Sequence, residues 1–69
     1  MVPETLGGAL RAIRIKKGIS LSKAAVEIGI TKSFLSDLEN DKAIPGFKIA
    51  ILISKTYDFP ITVMAEYVV

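Results

Sequence analysis

The stretch Gly18-Ile19-Ser20-Leu21-Ser22-Lys23-Ala24-Ala25-Val26-Glu27-Ile28-Gly29-Ile30-Thr31-Lys32-Ser33-Phe34-Leu35-Ser36-Asp37-Leu38-Glu39-Asn40 decides the fold of this chain. Ser20 suits an N-cap, because its hydroxyl accepts from an amide that the first helical turn leaves unpaired. A helix follows from Leu21 to about Ile28, with Leu21, Ala24, Ala25 and Ile28 as its apolar stripe. The two alanines let a neighbouring helix come close. Gly29 breaks the run where the backbone must take a course that a side chain would block. Ile30 seals the junction and Thr31 caps the next helix, Lys32 to about Asn40. Leu35 and Leu38 point inward from it, with Lys32, Ser33, Ser36 and Asp37 on the other side.

Before this stretch, Leu6, Leu10 and Ile13 repeat at spacings of four and three, one face of a helix from about Pro3 or Thr5 to Lys17. Gly18 suits the left-handed position after a helix end, and Lys16 and Lys17 sit where the helix dipole favours cations. After the stretch, Asp41 to Gly46 reads as a loop ending in Pro45-Gly46. A fourth helix, about Phe47 to Tyr57, carries Phe47, Ala50, Ile53, Ser54 and Tyr57 on one face, and Asp58 closes it. Pro60 opens a last short helix to about Glu66, with Ile61 and Met64 inward. Tyr67 to Val69 can be frayed or paired. No repeat, linker or low-complexity segment interrupts this order, so an all-α domain of five helices is expected over 1–69.

Composition narrows the functions open to such a domain. The 69 residues include no cysteine and no histidine, which excludes disulfides, thiolate chemistry and the usual zinc sites. At this size a core is close to the minimum, so tight helix packing or pairing with a second copy must supply stability. Met1 to Gly8 lacks the pattern of a signal peptide, and the apolar run Ile49 to Ile53 is too short to span a bilayer. A soluble cytoplasmic protein is expected. Net charge is +2, but Glu4 to Gly18 holds a local +3 through Arg11, Arg14, Lys16 and Lys17. One basic segment permits nucleic-acid binding without demonstrating it, since a solvated helix face reads the same way. With no metal cluster, phosphate loop or nucleophile elbow, no enzyme, metal or cofactor is expected.

Two helices joined by a short Gly-containing turn form a known DNA-reading unit, the second helix lying in the major groove. Across Gly18 to Asn40, and outward to Leu6-Gly7, Leu10, Arg14 and Pro45, the chain resembles the lambda-repressor-like (Cro/CI-type, XRE-like) helix-turn-helix family. The resemblance covers about nine-tenths of the chain and places the motif at about 20–40. It implies a sequence-specific transcriptional regulator of double-stranded DNA, such as a Cro-like repressor or switch protein, or a controller protein.

The resemblance also implies residue roles. Lys32, Ser33, Ser36 and Asp37 fall where the family places base-reading side chains. Their chemistry suits this: Lys donates to guanine O6 and N7, Asp accepts from cytosine N4, and serines do either. Ser20, the Leu21 amide, Asn40, Lys42 and Arg14 match positions that hold the phosphate backbone, fixing register more than sequence. Arg14 and Glu39 match an ion pair bridging the first and third helices, for which an Arg fork is well suited. Three positions depart from the pattern. Leu21 stands where a Gln often reaches DNA, Asp41 stands where Gly is common, and Phe34 occupies an often exposed site. Asp41 tolerates a left-handed backbone, but its charge near phosphate is expected to lower affinity. Phe34 either touches thymine methyls or packs onto the loop at Ile44.

The fourth helix carries a second apolar stripe, Ile49, Leu52 and Thr56, with Ile51 beside it. Such an excess marks a contact surface. A homodimer through the fourth and fifth helices is expected, reading a palindrome with half-sites about 34 Å apart. The alternative is that Ile49 and Leu52 complete the core. A rival function is a small protein-binding regulator of antitoxin or anti-repressor type on the same fold, favoured by Asp37, Asp41 and the modest charge.

Overall fold

The structure, a computed structural model, describes residues 4–67 and contains five α-helices in that span. They are α1 (Leu6–Lys17), α2 (Leu21–Ile28), α3 (Lys32–Glu39), α4 (Phe47–Tyr57) and α5 (Ile61–Ala65). Each of the first three starts at a hydroxyl cap. Thr5, Ser20 and Thr31 accept from the amides of Gly8, Lys23 and Phe34 at 3.0, 3.1 and 3.1 Å. The start of α1 at Leu6 selects Thr5 as the boundary; Pro3, like Val68 and Val69, lies outside the described residues.

α1 ends at Gly18, whose φ of 70° lets its amide and that of Ile19 return to the carbonyls of Ile15 and Arg14. α3 stops one residue earlier than its periodicity suggests, at Glu39, with Asn40 as cap. The reason is a left-handed turn at Asp41 (φ 59°): its amide bonds Leu38 O at 3.2 Å and the Lys42 amide bonds Asp37 O at 2.8 Å. α5 is likewise shorter than expected, running Ile61–Ala65 inside the Pro60 to Glu66 estimate.

The core joins all five helices. Leu10, Leu35, Leu38 and Ile53 are its largest fully enclosed side chains, surrounded by Leu6, Ala9, Ala24, Ala25, Ile28, Tyr57, Phe59 and Met64. α1 packs on α3, α3 on α2, and α4 on α2 and α5. The alanines of α2 are almost wholly buried, which allows α3 to lie close against it. Gly7 marks the closest approach of α1 to the end of α3. A Cβ there would stand 2.5 Å from Leu38 O and 2.7 Å from Glu39 O.

Two residues expected inside are outside. Phe47 is 78% exposed and Ile61 39%. Both belong to the faces that periodicity assigns them, but those faces meet at a groove that stays open. Leu6, Ala50 and Met64 form its floor side, and Ile44, Pro45, Phe47 and Ile61 also line it. Phe59, between α4 and α5, is buried in the core although no periodic pattern picks it out. Phe34 is half-buried and packs against the core.

Candidate nucleic-acid interface

Lys32 and Ser33 open α3, and Ser36 and Asp37 follow one turn later, so helical geometry puts the four on one side. They line a single open hollow whose other wall is Leu21 at the start of α2. Lys32, Ser33 and Asp37 are exposed, and their side chains have no hydrogen-bond partner among the described residues. Ser36 is half-buried. Its Oγ and its backbone carbonyl accept from the Asn40 amide Nδ2 at 3.4 and 2.8 Å. Asn40 thus closes the last turn of α3 with its side chain.

Of the other sequence-assigned positions, Leu21 alone lines this hollow among the described residues. Ser20 Oγ accepts from the Lys23 amide, which leaves the hydroxyl proton free to donate outward. Leu21 is half-buried and Lys42 is exposed. Arg14 is engaged inside the protein. Its Nε and Nη2 donate to Glu39 Oε2 and Oε1 at 2.7 and 3.1 Å, and Nη1 donates to the Ile19 carbonyl at 3.1 Å. The side chains of this pair are 15% and 5% exposed. The hydrogen bond to Glu39 holds the Arg14 guanidinium above its ordinary pKa, against an opposing effect of burial. One fork thereby ties α1, the turn before α2 and the end of α3 together.

Asp41 does not stand loose beside this surface. Its Oδ1 accepts from the Gly7 amide at 2.9 Å and its Oδ2 from Thr5 Oγ1 at 2.7 Å. It therefore caps α1 from 34 residues away. Sequence reading identified the left-handed turn at Asp41 but not this contact, since nothing local in the chain names its partner. Tyr57 was read only as a core residue. Its hydroxyl is buried without a hydrogen-bond partner among the described residues. Burial pushes its pKa up to about 12, the Glu39 charge acting in the same direction and Arg14 against it.

On α4, Ile49, Leu52 and Thr56 are half-buried. Ile49 and Leu52 pack partly against the core of their own chain, and Thr56 Oγ1 donates to the Glu27 carbonyl at 3.5 Å. The large exposed apolar side chains nearby are Ile44, Phe47, Ile61 and Val63. No helix of the described residues is long and apolar enough to cross a membrane.

A capped helix, a tight turn and a second capped helix with an exposed polar outer side form a helix-turn-helix unit, the arrangement that lays its second helix in a DNA groove. The helix-turn-helix family model matches residues 10–64, and the chain belongs to that XRE and lambda-repressor-like family, which binds double-stranded DNA. No curated protein and no solved structure matches the chain.

Proposed function

We propose that this protein is a sequence-specific regulator of Cro-like repressor or controller type, reading the major groove with α3 as a homodimer on a palindromic operator. The observation that carries this reading is the hollow on α3. Lys32, Ser33, Ser36 and Asp37 share it, and three of the four have side chains without a hydrogen-bond partner among the described residues. Charged groups held in solvent with no internal role are the groups that can exchange water for base edges at least cost. Ser20, the Leu21 amide, Asn40 and Lys42 are the proposed phosphate contacts. Arg14, committed to Glu39 and Ile19, has the orienting role in this scheme. The dimer is proposed to form through α4 and α5, with Ile49, Leu52 and Thr56 at its inner edge.

The test is a fluorescence-anisotropy titration against the DNA flanking the gene, with a scrambled duplex of equal length, at about 50 and 200 mM salt. A preference of about a thousandfold for the native duplex, kept at the higher salt, is the expected result. Equal, weak and strongly salt-dependent binding to both duplexes rejects it. One observation favours a protein-binding regulator instead: the open groove lined by Ile44, Pro45, Phe47 and Ile61 is almost wholly apolar. That reading gains if the protein binds both duplexes equally yet forms a tight complex with another protein of the same operon.

A further inference from the structure

Beside their apolar packing, α3 and the turn after it are tied to α1 by side-chain hydrogen bonds at two points, and the second of them is carried by one residue that breaks the family pattern. At the first point, Glu39 grips Arg14 in the C-terminal half of α1. At the second, the Asp41 carboxylate grips Gly7 and Thr5 at the N-terminus of α1. Seven residues of helix separate Gly7 from Arg14, roughly 10 Å along the axis. One attachment acts as a pivot about which the end of α3 can turn; two attachments that far apart fix its direction.

The chemistry of the second point is complete. Each carboxylate oxygen takes one donor. Thr5 gives its hydroxyl proton to Asp41 while its oxygen accepts from the Gly8 amide. The negative charge lies at the positive end of α1, where the helix dipole favours it. The chain accepts a left-handed backbone at a non-glycine residue, φ 59°, to put the carboxylate there. Asp41 also lies between Asn40 and Lys42, two of the proposed phosphate contacts.

We infer that Asp41 is a positioning residue for DNA reading: it locks the turn that carries Asn40 and Lys42, and with it the direction of α3, onto the start of α1. This inference rests on the DNA-reading function proposed above. It opposes the simple electrostatic expectation, in which removing a negative charge beside the phosphates can only raise affinity.

Asp41→Gly and Asp41→Asn separate the two ideas, because both delete the charge and only Asn keeps an acceptor for the Gly7 amide. Glycine also relieves the left-handed backbone, so its loss of one exposed and one part-buried hydrogen bond is partly offset and the Tm shifts by no more than about 5 °C. The wild-type protein is first used to select its preferred duplex from a random library, and the variants are then titrated against that duplex over a range of salt. Asp41→Gly is expected to bind about five- to tenfold more weakly than Asp41→Asn. Its salt slope is expected to be shallower by about one phosphate.

Equal affinity and equal slope for the Gly and Asn variants overturn the inference while leaving the DNA-reading function standing. If the wild-type protein selects no duplex, the function fails first and the inference with it, a result visible before any variant is made.

Discussion

Tyr57 brings a hydroxyl into the interior and gives it no hydrogen-bond partner among the described residues. A buried polar group left unsatisfied costs about 1–3 kcal/mol, so Tyr57→Phe is expected to stabilise the protein by about 1 kcal/mol in urea denaturation. The same residue shapes the alkaline limb of stability. In the unfolded chain a tyrosine ionises near its ordinary value of 10.0, but Tyr57 in the folded protein ionises at about 12. Below pH 10 both states keep the proton and nothing is lost. Between these values the unfolded state releases a proton that the folded state retains, so stability falls as pH rises, by an amount on the order of 2 kcal/mol. The Phe variant is expected to lose less stability than the wild type over that window; parallel curves would contradict the assignment. At the DNA surface, Lys32→Ala is expected to cost about 1–3 kcal/mol of specific binding and to relax preference at one base, with unchanged Tm. Unchanged preference removes Lys32 from the reading set. At this scale the sequence was informative wherever a residue's role is local. Ser20 and Thr31 are legible as caps from their neighbours alone. Asp41 and the Tyr57 hydroxyl were not legible, because their energetics depend on groups 34 residues away or on a partner absent among the described residues.

Among the elements, α3 buries Leu35, Leu38 and Glu39 against the rest of the fold. Removing Glu39 leaves the Arg14 guanidinium, 15% exposed, without its carboxylate. Glu39→Ala is therefore expected to destabilise the fold by about 3 kcal/mol, whereas replacing both partners with apolar residues costs less. A urea-denaturation cycle over the two positions measures this, and a pair of independent, additive losses would show that the fork is not a unit. Gly7→Ala tests the crossing of α1 and α3 directly. The new methyl would meet three oxygens within 2.7 Å, two of them backbone carbonyls that cannot swing aside. A loss of about 3 kcal/mol is expected, measured as a fall in Tm. Helix order, caps and inward faces were open to sequence reading because each follows from a spacing within one element. Phe47 and Ile61 escaped it. Periodicity assigns a residue to a face, but it says nothing of whether a neighbouring element reaches far enough to cover that face. Here both side chains flank one open groove.

The whole molecule measures 28 × 27 × 22 Å, with a radius of gyration of 10.7 Å. Half-sites for this class lie one helical turn apart, about 34 Å. One copy is thus smaller than that repeat, and engaging two half-sites takes two copies. The proposed dimer predicts a two-fold mass in sedimentation equilibrium at high micromolar concentration. Phe47→Ser is expected to weaken self-association without lowering the Tm of the protomer, since that ring is 78% exposed. A monomer at all concentrations would remove the dimer from the scheme. The division of labour within α3 has a further consequence. Leu35 and Leu38 supply two of the four largest enclosed side chains, while the exposed side chains of Lys32, Ser33 and Asp37 have no hydrogen-bond partner among the described residues. In the proposed scheme, address and scaffold are written on opposite sides of one eight-residue helix. If the proposed reading holds, variation at the three outer positions redirects the protein to a different operator while the inner two keep it folded, and a lineage acquires new targets without passing through unstable intermediates.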